Sequence, residues 1–494
     1  MNFALPEEKG VSSLNIKKFI SRLEKRQLQM HSVLMMRGDS IIYEGYWAPY
    51  HQDYCHRMYS VTKSFVAVAI GLCAEDGLIS LDDRMYDYFK DKAEDGIDEN
   101  VKNQTIRQML MMTTVGHPCS WFTRNDPDRT HIYFDNYGSR RASGTIWEYD
   151  SAGSQVLCAL VERITGKSLF DFLNERIFSH LGTFKDARVL KTPNGDSWGD
   201  SAMICTTRDL ASFARFVMNY GVHNGQRLMN EEYLKQATKK QADNRYSGHL
   251  HAFEHGYGYQ IWIGEGNSFA FVGMGNELAV CYPDKDFIFC CTADTQGNPA
   301  ARDYLIYQLN DTVVEELSDE PLPSNPSATA ELNALSDSLE LFAIKGQSSA
   351  EYEKLVNGVT YECEPNDMEL SDFTLHFDGQ GGGRLVYTRA GKEMTLPFSI
   401  NKNCFGLFPE LGYSKEYGAV RTTDGHMYKD AVSMAWLSHN KAMIYVQIID
   451  DYLGNASLSF HFNGEDATVQ FCKTAEDFLW GYDGQAKARI KKQF

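Results

Sequence analysis

Arg57-Met58-Tyr59-Ser60-Val61-Thr62-Lys63-Ser64-Phe65 leads straight into Val66-Ala67-Val68-Ala69-Ile70-Gly71-Leu72-Cys73-Ala74, a run that is apolar on every side and closed by Gly77. A helix without a polar face lies inside a domain, so the segment predicts a buried helix with Ser60 at its N-terminus. Backbone N–H groups and the helix dipole favour developing negative charge there. One turn further on, Lys63 comes beside the serine hydroxyl in a partly desolvated position, and a desolvated lysine can take a serine proton. Taken alone, Ser-x-x-Lys reads more readily as a capping serine with a solvated lysine. The motif occurs three times, again at Ser399 and Ser438, but those two fall in turns between strand-like segments. Only Ser60 opens a buried helix.

The flanks of this segment mix strands and helices. Upstream, Val33 to Met36, the turn Arg37-Gly38-Asp39 and Ser40 to Tyr46 read as a β-hairpin. Downstream, Leu157, Leu160, Val161 and Ile164 stand at helical spacing before Gly166, and Thr206-Thr207-Arg208-Asp209 has the form of a capping box for a helix through Met218. Phe269 to Val272, Leu278 to Tyr282 and Phe287 to Ala293 predict neighbouring antiparallel strands. The stretch Ser318 to Ala328 holds three prolines and three serines and marks the domain boundary. Beyond it, a short helix over Ala330 to Ala343 gives way to strands at Phe373 to Phe377, Leu385 to Thr388, Met443 to Ile448, Leu458 to Phe462 and Thr468 to Phe471. Short strands with glycine turns predict an antiparallel barrel or sandwich.

Composition narrows the function. A chain of 494 residues is too long for one core. Lys+Arg 48 against Asp+Glu 66 gives a net charge of −18, which repels phosphate backbones and anionic membranes, so neither nucleic acid nor membrane is expected as a partner. Eleven cysteines, odd in number and mostly set in apolar runs such as Phe289-Cys290-Cys291, read as reduced core residues. No CxxC pair or HExxH helix suggests a metal, and no cofactor is expected. The N-terminal residues lack the form of a secretion signal and no run of about 18 apolar residues appears, which predicts a cytoplasmic protein.

Further words join the Ser60 segment in order: Glu75-Asp76-Gly77-Leu78-Ile79-Ser80-Leu81-Asp82-Asp83, Thr105-Ile106-Arg107-Gln108-Met109-Leu110-Met111-Met112-Thr113-Thr114, Trp147-Glu148-Tyr149-Asp150-Ser151, Thr165-Gly166-Lys167-Ser168-Leu169 and Phe271-Val272-Gly273-Met274-Gly275-Asn276. Over roughly residues 5 to 315 this pattern resembles the serine β-lactamase and penicillin-binding-protein superfamily. It follows the class C-like branch that includes esterases, D-amino-acid peptidases and amide hydrolases. The resemblance implies an α+β fold: a β-lactamase-like domain over 1–317, with an antiparallel sheet flanked by helices and a helical subdomain, then a linker and short helix over 318–345. A C-terminal β-barrel or sandwich over 346–494 resembles the lipocalin-like appendages of some members. Gating the cleft, binding substrate and mediating dimerisation are open roles for it.

Carried over by position, the resemblance implies Ser60 as acylated nucleophile, Lys63 as general base and Tyr149 as proton relay, with the N–H groups of Ser60 and Asn276 as oxyanion hole. Two elements depart from the family. Ser151 stands where the Tyr-x-Asn element has asparagine, which shortens its reach to a substrate amide. Gly273-Met274-Gly275 replaces Lys-Thr-Gly or His-x-Gly, and methionine cannot hold a substrate carboxylate. The expectation is therefore hydrolysis of a small ester or amide, or a short peptide, ahead of D-amino-acid-type peptidase or weak β-lactamase activity. A non-catalytic ligand-binding protein of the same fold is the alternative from another class. Substrate-binding residues are expected at Ser151, Gly273, Met274 and Gly275, and at Trp121, Arg124 and Tyr137. The last three lie in an aromatic loop that also carries Arg129, Arg140 and Arg141, one of whose arginines would replace the lost cation. His255-Gly256-Tyr257-Gly258-Tyr259 is a second candidate rim.

Overall fold

The computed structural model describes residues 2–116, 126–135, 138–245, 247, 251–418, 420–421, 425–475 and 478–491. The chain divides into two compact units, residues 1–340 with 415–419, and residues 341–414 with 420–494.

The first unit is built on an eight-stranded sheet. The hairpin Met30–Arg37 and Ser40–Tyr46 pairs through its first strand with Phe287–Ala293, followed by Leu278–Tyr282, Phe269–Val272, Trp262–Ile263 and Gly256–Tyr257. Alternation along these strands sends side chains to opposite faces. Val33, Met35, Phe289 and Cys291 pack with Phe19 and Leu23 of the helix Ser13–Arg26 and with Leu305 and Leu309 of the helix Ala301–Leu309. Leu34, Met36, Ile288 and Cys290 join the other core, which takes in Phe213 and Phe216 of the helix Thr207–Met218 and the whole apolar helix Thr62–Glu75. That helix is buried along twelve successive residues, Thr62 to Cys73. It packs in the helical region beside Ser151–Thr165, whose first turn is capped by Asp150.

The second unit is a closed barrel. Nine strands run in the order Lys392–Ile400, Gly382–Arg389, Leu370–Phe377, Thr360–Cys363, Gly484–Ile490, Asp466–Ala475, Leu453–Asn463, Lys441–Ile449 and Met427–Ser438. A short parallel pairing of Ser399 with Ser433 and Ile400 with Met434 joins the last to the first. A tenth strand, Cys404–Leu411, lies outside the ring against Met427–Ser438. The expected helix over 330–343 lies instead at Pro326–Ser336. Asn325 caps it and Pro326 stands in its first turn, where a missing N–H costs nothing. Among the described residues no helix is long and apolar enough to cross a membrane.

Candidate active site

Ser60 sits in one turn of 3-10 helix, Tyr59–Val61, that runs into the buried helix at Thr62. The residue before it is strained: Tyr59 has φ 45° and is buried. Such backbone persists only where its surroundings hold it. Here the Arg57 guanidinium lies between the rings of Tyr59 and Trp198, 4.4 Å from each, and donates to the carbonyl and hydroxyl of Ser201 at 2.8 and 3.0 Å. Met58 N donates to Met203 O at 2.7 Å, and Met203 N donates to Thr62 Oγ1 at 2.9 Å. The strand before Ser60 and the helix after it are thus tied to one segment, residues 201–203.

Lys63 is 1% exposed. Its Nζ donates to Ser60 Oγ at 2.9 Å and to Asp200 O at 2.7 Å, with Asp200 Oδ2 at 4.0 Å. The Tyr149 ring lies 5.0 Å from the same nitrogen and stacks on Trp262. Tyr149, distant in sequence, therefore lies in one site with Ser60 and Lys63. Ser151 follows two residues later as the first, half-buried residue of its helix. Between them, burial pushes the Asp150 carboxyl up, against the Gly153 N–H that it accepts at 2.8 Å and against the Lys63 charge. Behind the site, Gln260 ties three helical elements together: its carbonyl accepts from Ser64, its Oε1 accepts from Ser154, and its Nε2 donates to Met109 O and Leu110 O.

The segment Gly273-Met274-Gly275-Asn276 forms a tight turn closed by Gly273 N donating to Glu277 O at 2.7 Å. Gly275 and Asn276 both have left-handed backbones, φ 78° and 75°. Gly273 has no room for a side chain, because a Cβ would lie 2.5 Å from Met58 O. The turn consequently rests on the strand that delivers Ser60. Underneath, burial pulls His56 down to about 3, so its ring is neutral at pH 7, and lifts the Glu277 carboxyl well above its usual range.

Trp121, Arg124 and Tyr137 lie outside the described residues. Of their neighbours, Arg129 is buried with its guanidinium 4.3 Å from the Trp198 ring, and Arg141 is held by Thr114 O and Glu148. The second rim is core instead: Tyr257 packs on Trp147 and Trp262, and Tyr259 OH accepts from Arg107 at 2.7 Å, both tyrosines being buried. Sequence reasoning missed Asp200, Gln260 and Arg302. Asp200 meets Lys63 chiefly through a backbone carbonyl, which no residue type announces. Arg302 donates to Gly273 O and Asn276 Oδ1, both at 2.8 Å. Among the described residues no group of three His, Cys, Asp or Glu is arranged to hold a metal.

A family model described as Beta-lactamase matches residues 16–313. A 6-aminohexanoate-dimer hydrolase from Paenarthrobacter ureafaciens is 26% identical over 216 residues, which is 41% of this chain and 55% of that protein's length. Among solved structures, a family VIII carboxylesterase aligns with TM-score 0.50 at 14% identity over 64% of this chain and 99% of its own. EstCE1, a hydrolase with promiscuous acyltransferase activity, aligns with TM-score 0.50 at 13% identity over 61% and 98%. Likeness at these identities concerns the fold.

Proposed function

Because the chain belongs to the beta-lactamase family, we propose that it is a serine hydrolase that cleaves a small ester or amide through an acyl-enzyme on Ser60. The observation that carries this reading is the 2.9 Å contact between Lys63 Nζ and Ser60 Oγ inside a buried site. In the first half-reaction, Lys63, in its neutral amine form, accepts the Ser60 proton as Oγ bonds to the substrate carbonyl carbon. The carbonyl oxygen becomes an anion received by the N–H groups of Ser60 and Asn276. Tyr149 delivers a proton to the departing alcohol or amine. Water then adds to the acyl-enzyme, the same groups run in reverse, and the acid leaves.

Esters and amides are favoured over β-lactams by Met274, which offers no charge for a carboxylate. The relative named as an aminohexanoate-dimer hydrolase and the carboxylesterase-like fold are consistent with that choice. Labelling with a fluorophosphonate probe tests the chemistry. The native protein is expected to gain one adduct by intact mass and Ser60→Ala none; equal labelling of the two would refute the assignment. Nitrocefin turnover at the rate of a dedicated β-lactamase would refute the substrate choice.

A further inference from the structure

Arg302 is the second residue of the helix Ala301–Leu309. Its Nε and one terminal nitrogen grip both ends of the Gly273–Asn276 turn. At this position burial opposes a cation more than the neighbouring groups Cys291, Tyr149 and Asp303 favour it. The first turn of a helix carries partial positive charge, and among the described residues no carboxylate pairs with this guanidinium. Desolvation draws it down to about 10. A part-buried arginine with neither counter-ion nor favourable dipole costs stability. Its two hydrogen bonds instead fix a turn in which Gly275 and Asn276 both hold left-handed backbones. The same turn has further anchors, Thr295 N donating to Gly275 O at 3.1 Å and Cys291 Sγ donating to Asn276 O at 3.3 Å, so holding it does not by itself require a charge.

We infer that Arg302 is a positioning residue for acyl transfer: it clamps Asn276 with its N–H set for the oxyanion, and supplies the fixed positive field that stabilises that anion. The inference rests on the reading of Ser60 as nucleophile. It also places the cation lost from the glycine element on a different helix, where it serves the reacting oxygen.

The test is the second-order rate of fluorophosphonate labelling of the full-length protein, with intact mass locating the adduct on Ser60. Arg302→Gln is expected to label at least about 10-fold more slowly, and Arg302→Lys, which keeps the charge without the fork, to fall between it and the native protein. Asn276→Asp neutralises the guanidinium in place and keeps its bonds, so it serves even if Arg302→Gln does not fold; it too is expected to slow labelling by about 10-fold or more. Native rates in Arg302→Gln or Asn276→Asp, or a lysine variant as slow as the glutamine one, would overturn the inference while leaving the nucleophile intact. A native protein that takes no label on Ser60 would overturn both.

Discussion

At Asp150 a capping bond and a desolvated carboxyl compete within one side chain. The residue accepts the Gly153 N–H at the start of the Ser151–Thr165 helix, while burial raises its carboxyl. The folded chain therefore holds this proton over a pH range in which the unfolded chain, with a carboxyl near 3.9, has lost it. Stability from this residue falls as pH rises through that range and is level above the folded value. Asp150→Asn keeps a capping oxygen and cannot ionise, so its urea midpoint is expected to lose that part of the decline, gaining on the native protein as pH rises from 4 to 8. Asp150→Ala also forfeits the cap, about 1 kcal/mol. At this scale the meeting of Ser60, Lys63 and Tyr149 was legible because it is made by side chains in recognisable words. Asp200 and Arg302 were not. The first acts through its main chain, and the second reaches the turn from a helix more than twenty residues further along.

The helix that follows Ser60 shows what the elements contribute. Its position and burial were legible, since an all-apolar run admits little else. What it packs against was not. Gly71 gives passage to Met229 and Tyr233: a Cβ there would lie 2.3 Å from the Met229 methyl and 2.4 Å from the Tyr233 ring, whose hydroxyl donates to Ala67 O at 2.6 Å. Gly71→Ala improves helix propensity by about 1 kcal/mol, yet forces the tyrosine off its carbonyl. A net loss of about 1–3 kcal/mol in urea unfolding is expected; a stabilised variant would show that the contact yields easily. The strands Phe269–Val272, Leu278–Tyr282 and Phe287–Ala293 coincide with their expected bounds because each is ended by a turn of glycine or Pro-Asp. Met427–Ser438 escaped notice: seven successive buried residues, Asp430 to Trp436, hide the alternation that marks a strand.

At the scale of the whole molecule, most of the described thiols lie inside. Among the described residues Cys73, Cys158, Cys205, Cys281, Cys290 and Cys291 are buried free thiols, Cys55, Cys363 and Cys404 are half-buried, and Cys472 is exposed. Burial pushes the Cys73 thiol up to about 12 and raises several others well above their ordinary value, so these react only when unfolding releases them. Ellman's reagent is expected to titrate Cys472 quickly in the native protein and the six buried thiols only in guanidinium chloride; their prompt reaction would mean that the core opens readily. That the C-terminal part is all β was legible from its glycine-punctuated segments. Its closure was not, for the strands that meet at Ser399 and Ser433 are consecutive in neither sequence nor pattern. Closure also bears on how the protein behaves in a crowded solution. Closure leaves fewer unpaired rims on which another chain's strand can grow, and among the described residues Cys404–Leu411, lying outside the ring, is an edge open to runaway assembly. That strand exposes Phe405, Leu407 and Leu411, the kind of surface on which aggregates start. Pro409 sits in its middle without an N–H to offer, and the ladder breaks register between Leu407 and Leu411. The barrel thus guards its stickiest strand with a gap in its own hydrogen bonding.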